Sequence, residues 1–182
     1  MIVLKKIKIL VFIVFLFNQS NLAQFDTESD VVEFKIFKSY DRIHQNKELK
    51  IAVMAVINNM WHINSNEPSE DYMVGTSVEI SAGEKFQLKK LKFPEPLELI
   101  FSFSITPISV YEGEVYISGV IPIPADIELG EYKIPIHITY QACNDASCLS
   151  PRSIKEEISI IVVEKEIQIQ EINKEIFEKL NL

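Results

Sequence analysis

Glycine, cysteine and histidine are scarce: 182 residues hold five glycines, two cysteines and three histidines. So few glycines argue against a phosphate cradle, which needs small residues to bring backbone N–H groups onto a ligand. Cys143, Cys148, His62 and His137 make one thiolate pair without a second Cys or His pair to close a tetrahedron, so no metal is expected. No serine, histidine and acid fall in an order that suggests nucleophilic catalysis, and no paired-carboxylate motif stands out. The apolar run Ile9 to Phe17 is nine residues, against the roughly 20 that span a bilayer. No later segment is a candidate span.

What is present at the start is an export signal. Lys5, Lys6 and Lys8 precede that apolar run, and Asn21-Leu22-Ala23 is an acceptable cleavage site, so residues 1–23 are expected to be a signal peptide. Cleavage there removes three lysines and no acids, moving the formal net charge from -8 to -11. A surface of that sign repels nucleic acid and anionic lipid. Residues 24–163 are of a size for one domain with a proper core, in a periplasmic or secreted compartment where disulfides persist.

Apolar residues alternate through most of that domain. Val32, Phe34 and Ile36 share one face, as do Leu49, Ile51, Val53, Ala55 and Ile57, which is the period of half-buried strands. Further strands are expected at 77–80, 86–91, 97–105, 114–121, 131–141 and 154–163, separated by turn-forming stretches such as Phe93-Pro94-Glu95-Pro96. The pattern predicts an all-β fold: an immunoglobulin-like antiparallel β-sandwich. In the tail, 164–182, Ile169, Ile172, Ile176 and Leu180 fall at helical spacing and predict a short C-terminal amphipathic helix.

The two cysteines stand in Thr139-Tyr140-Gln141-Ala142-Cys143-Asn144-Asp145-Ala146-Ser147-Cys148, four residues apart. Asn, Asp and Ser between alternating runs favour a tight reversal, which places both sulfurs near a hairpin tip and makes a disulfide sterically feasible. Closing so small a loop stabilises the fold by about 2 kcal/mol at most. The bond therefore serves either as a redox pair or as a local staple in a non-enzymatic binding or structural module, and the residues alone leave both open. Direct opposition of the cysteines would put Ile154 against His137, out of step with the apolar faces. An irregularity between Cys148 and Ile154, at Ser150-Pro151, is expected to restore the register. Pro135 implies either a second bulge or a missing donor turned off an edge.

Tyr140-Gln141-Ala142-Cys143, then Cys148 with Pro151 soon after, resembles the redox hairpin of the N-terminal periplasmic domain of the DsbD disulfide reductases. Trp61-His62-Ile63-Asn64-Ser65-Asn66 followed by Thr76-Ser77-Val78 resembles the early part of that domain, and the likeness runs from about Val31 to Val163. It implies an immunoglobulin-like domain, here stand-alone, that relays electrons by thiol-disulfide exchange and so acts as a protein-disulfide reductase component. Cys143 and Cys148 would be the redox pair, with Cys148 forming the upstream mixed disulfide. The implied partners are a thioredoxin-like redox protein or membrane electron transporter upstream and exported disulfide-containing proteins downstream, with no small-molecule cofactor. The family's cap loop would fall at 108–113, with Tyr111 as the shielding aromatic and Glu112 beside it. Tyr140 and Gln141 are further candidates for partner contact. No cation except Arg152 stands near the pair, so the attacking thiolate is expected to come from the partner.

Overall fold

The computed structural model describes residues 31–83 and 85–182. The expected signal peptide lies outside the described residues. In chain order they form β1 (Val32–Lys38), β2 (Ile43–His44), β3 (Glu48–Ile57), β4 (His62–Asn64), β5 (Ser77–Ile80), β6 (Lys89–Lys92), β7 (Leu97–Leu99), β8 (Ile108–Tyr111), β9 (Glu114–Pro122), β10 (Gly130–Tyr140), β11 (Ala142–Cys143), β12 (Arg152–Val163) and α1 (Lys174–Lys179). They make an all-β, immunoglobulin-like sandwich with a single short helix among the described residues. No helix there is long and apolar enough to cross a membrane.

One sheet has the order β1-β3-β9-β6 and a second the order β2-β12-β10-β5, antiparallel throughout except where β2 runs parallel to β12. The alternation in the sequence decides which faces meet. Ile134, Ile136 and Ile138 of β10 are fully buried and cluster with Ile158 and Ile160 of β12 and with Ile51, Val53, Ile117 and Ile121 of the other sheet. Each buried isoleucine stabilises the sandwich by roughly 1.5–3 kcal/mol, so this face dominates the energetics. A third, smaller sheet of order β11-β4-β8-β7 sits at the end where β10 runs out, and it carries Cys143, to which Cys148 is bridged.

Pro135 lies in the unbroken β10–β12 register, opposite Glu157, so there is no bulge at that point. Its carbonyl accepts from the Ser81 N–H at 3.0 Å, just past the end of β5 at Ile80. The carbonyl and nitrogen of one strand residue face the same neighbour, so the missing donor falls where β5 has ended.

Three expected elements differ. The strand expected at 86–91 forms only at Lys89–Lys92. The strand expected at 97–105 stops at Leu99, because Ser104 N–H bonds back to the Phe101 carbonyl at 3.0 Å and the Ser104 hydroxyl ties to the Thr106 carbonyl, folding the segment into a turn. The helix expected in the tail occupies only Lys174–Lys179. Ahead of it, Asn173 takes φ 52° and Ile172 donates to the Ser39 carbonyl at 2.9 Å, so Gln170–Ile172 run along the 39–41 edge instead of coiling.

The helix is anchored by Phe177, 4% exposed, which the helical pattern of the sequence left out. Lys50 of β3 donates to the Leu182 carbonyl at 2.5 Å, and Lys179 lies over the Tyr116 ring at 4.8 Å, which places the helix on the outer face of β3 and β9. Phe177→Ala should therefore cost about 3 kcal/mol in urea unfolding, the usual range for emptying an aromatic site. A loss below about 0.5 kcal/mol would mean that the tail is not part of the folded unit.

Candidate functional site

At Tyr140 the chain changes partners. Up to that residue β10 pairs with β12, ending on Tyr140 opposite Arg152; two residues later β11 pairs with β4, setting Ala142 against Ile63 and Cys143 against His62. The reversal follows at once. Asn144 Oδ1 accepts from the N–H groups of Ala146 at 2.9 Å and Ser147 at 3.0 Å, and the Asn144 N–H reaches the Ser147 carbonyl at 2.9 Å. Cys143 and Cys148 face each other across this turn with Cα atoms 3.9 Å apart, and they are joined in a disulfide.

The register shift expected after Cys148 is present. Between the Tyr140–Arg152 pair and the Cys143–Cys148 pair, Gln141 and Ala142 on one side face Leu149, Ser150 and Pro151 on the other. The extra residue lets the apolar face of β12 meet that of β10 while the sulfurs still oppose each other.

Gln141 holds the hairpin to the rest of the protein. Its side-chain oxygen accepts from Val74 N–H at 3.0 Å and from Asn64 Nδ2 at 3.1 Å, and its Nε2 donates to the Leu149 carbonyl at 3.1 Å. Its backbone carbonyl accepts from Asn64 N–H at 3.1 Å. This half-buried residue thus ties the hairpin to the segments at Asn64 and Val74.

The two sulfurs have unlike surroundings. Cys143 is 1% exposed, whereas Cys148 is an exposed residue. Over the buried side lies the turn that replaced the expected strand. Phe101 stacks on His62 at 4.1 Å between ring centres, Phe103 stacks on Phe101 at 5.6 Å, and the Ser102 hydroxyl donates to the Asp145 carbonyl in the cysteine hairpin. His62 itself is 2% exposed, and burial pulls its pKa down to about 4 against a small opposing pull from the Asp145 carboxylate.

The Phe101–Ser104 turn meets the hairpin at Asp145, and Tyr111 of the expected cap segment 108–113 shares a buried cluster with Ala142 and Leu149 of the hairpin. Ile108–Tyr111 is strand β8, and Tyr111 pairs across from Ile63, 1% exposed, with its hydroxyl donating to Asn66 Oδ1 at 2.5 Å. It is a core residue, and burial pushes its phenol pKa up. Glu112 is exposed beside Gly113, whose φ of 65° makes the turn into β9. Tyr140, 4% exposed, packs against Phe34 at 5.1 Å, so it too is core rather than a surface that a partner reaches. His137 sits in β10 between Glu79 and Lys155, in a different sheet from His62. Phe101 and Ser102 escaped sequence reasoning because Phe-Ser-Phe-Ser alternates like a strand. Two aromatics interleaved with turn-forming serines were the available signal.

His62 gives the site a pH signature. Its folded pKa of about 4 lies below the ordinary 6.5, so between those values the unfolded chain binds a proton that the folded one does not. Stability is complete above about pH 6.5 and falls as pH drops toward 4, by roughly 3 kcal/mol in total. Urea unfolding from pH 7 to pH 4 should show that slope, and His62→Phe should remove it. An equal slope in both proteins would mean that His62 charges freely in the folded state.

No protein-family model matches the chain, and no curated protein does. Among solved structures it is similar to the N-terminal periplasmic domain of ScsB from Proteus mirabilis, with a TM-score of 0.50 and 12% identity over 73% of this chain and 47% of that one. The chain thus spans about half of the ScsB structure. It is also similar to the reduced N-terminal domain of DsbD from Neisseria meningitidis (TM-score 0.45, 13% identity, 75% of this chain and 89% of that one). A third similar structure is the complex of the DsbD and PilB N-terminal domains from the same organism (TM-score 0.43, 14% identity, 68% and 81%). At these identities the likeness is one of fold: the chain is built as the ScsB N-terminal periplasmic domain is, with the DsbD N-terminal domain among its structural neighbours.

Proposed function

We propose that residues 24–163 are an exported thiol-disulfide exchange domain whose redox pair is Cys143 and Cys148. The observation that carries this reading is the asymmetry of the pair: Cys148 is an exposed residue, Cys143 is 1% exposed, and both sit on a hairpin that Asn144 and Gln141 already hold together. A staple adds little to a turn so well tied, since its entropic effect is largely spent on ends that are already close. A relay needs a disulfide with one accessible cysteine on a support tied by other bonds, and the exposure of Cys148 and the Gln141 and Asn144 hydrogen bonds support that reading.

Exchange then proceeds in one order. A thiolate of a thioredoxin-like donor attacks Cys148 Sγ, because in-line approach to a sulfur requires access, and Cys143 leaves as the thiolate. The donor's second thiol attacks its own half of the mixed disulfide, which releases the domain as a dithiol and leaves the donor oxidised. Cys148 next opens a disulfide of an exported protein, and Cys143 resolves that mixed bond. The Phe101–Ser104 turn, stacked on His62 opposite Cys143 and bonded to the Asp145 carbonyl, shares in the shielding expected of Tyr111, so solvent thiols gain little access to the buried cysteine. The acidic surface suits protein partners of opposite charge and not nucleic acid.

Single-cysteine variants test the order of attack. Cys143→Ser keeps the exposed thiol and should form a covalent complex with a thioredoxin whose one remaining cysteine carries a thionitrobenzoate leaving group. Cys148→Ser should react at least roughly tenfold more slowly, because its thiol is buried. Equal rates, or no complex with either variant, would contradict the proposal.

A further inference from the structure

Among the described residues, Nε2 of His62 is a buried side-chain nitrogen with no hydrogen-bond partner. Native interiors pair nearly all such atoms, so an orphan ring nitrogen calls for an explanation. The imidazole is 2% exposed and lies against the Phe101 ring at 4.1 Å. Its cross-strand partner in the β4–β11 pair is Cys143. Directly opposed residues of an antiparallel pair present their side chains on one face, with Cβ atoms about 4.5–5.5 Å apart. The His62 and Cys143 side chains therefore share one face of the β4–β11 pair.

In the oxidised domain neither sulfur carries a hydrogen, so Cys143 has nothing to donate. Reduction gives it a thiol, free to turn about its Cα–Cβ bond once Cys148 no longer fixes it. A thiol in apolar surroundings ionises reluctantly, and the thiolate is the nucleophile. Resting on the exchange reading above, we infer that His62 Nε2 accepts the proton of the Cys143 thiol when the reduced domain passes its electrons on. Cys148 is then joined to the acceptor protein in a mixed disulfide. Cys143 gives its proton to Nε2 and its sulfur bonds to Cys148 Sγ. The bond between Cys148 and the acceptor breaks, and the acceptor sulfur leaves with the electron pair and takes up a proton from the imidazolium or from water. Cys143 and Cys148 end as a disulfide, and the acceptor's disulfide ends as two thiols.

The ring is in the state this step needs. Burial keeps it neutral at ordinary pH, and the tautomer that carries its hydrogen on Nδ1 leaves the Nε2 lone pair open. A thiolate forming beside it raises its basicity, as any opposite charge does, and the Asp145 carboxylate on the same hairpin acts in the same direction.

A single-turnover reaction tests the step without a natural partner. The reduced full chain, mixed with the symmetric disulfide of thionitrobenzoate, is labelled at Cys148, and Cys143 then expels the coloured thiolate in a second phase read by stopped-flow absorbance. His62→Phe keeps a ring against Phe101 and removes the lone pair, so near neutral pH the second phase should slow by about 10- to 100-fold. In the wild-type protein the 15N resonance of His62 Nε2 should shift on reduction, as the new thiol bonds to it, which decides the matter if the variant does not fold. A wild-type second phase in H62F, or one Nε2 resonance common to both redox states, overturns the inference. Absence of the first phase instead defeats the exchange reading itself, because Cys148 would then not react in the folded protein.

Discussion

A one-residue mismatch of register underlies the site. The core demands that Ile134 and Ile138 of β10 face Ile158 and Ile154 of β12, whereas the disulfide demands that Cys143 face Cys148. Because strand side chains alternate, the two demands differ by a single step and cannot both be met by a regular hairpin. The extra residue in Leu149–Pro151 reconciles them, and it also frees Ala142 and Cys143 from β12 to join β4. Everything particular to the site follows from that change of partner: His62 is set against Cys143, and Gln141 is left at the junction where its amide ties three segments together.

The same geometry makes the two sulfurs unequal. Pairing with β4 sets Cys143, 1% exposed, against His62, on which the Phe101 ring stacks, while Cys148, on the return side, is held by its bridge to Cys143 and stays exposed. The two cysteines of the bond thus differ in their access to solvent.

Much of the fold was legible because long strands repeat. β1, β3, β9, β10 and β12 each carry several alternations, and even the register shift could be deduced by comparing the cysteine pair with the isoleucines. Shorter strands carry less periodicity: β5 was still visible, but β4 and β11 went unseen, and β8, buried at all four positions, gave no alternation and passed for a loop. The opposite error fell on Phe101–Ser104, whose alternation belongs to a turn. In the tail, spacing suggested a longer helix than forms, because backbone bonds to Ser39 and Asp41 compete successfully with the helical ones ahead of Asn173. The cysteines were evident from scarcity alone. His62 was visible as a histidine, but its burial depends on a pairing between segments distant in sequence, which local pattern does not encode.

The central claim is that the Cys143–Cys148 bond exchanges electrons in the folded protein. The most direct test is its reduction potential, measured by equilibrating the native domain with glutathione or dithiothreitol buffers and trapping free thiols. An exchange centre should titrate above about -300 mV with the fold intact throughout. A much lower potential, or reduction only when the protein unfolds, would make the bond a staple and leave the domain a binding or structural module.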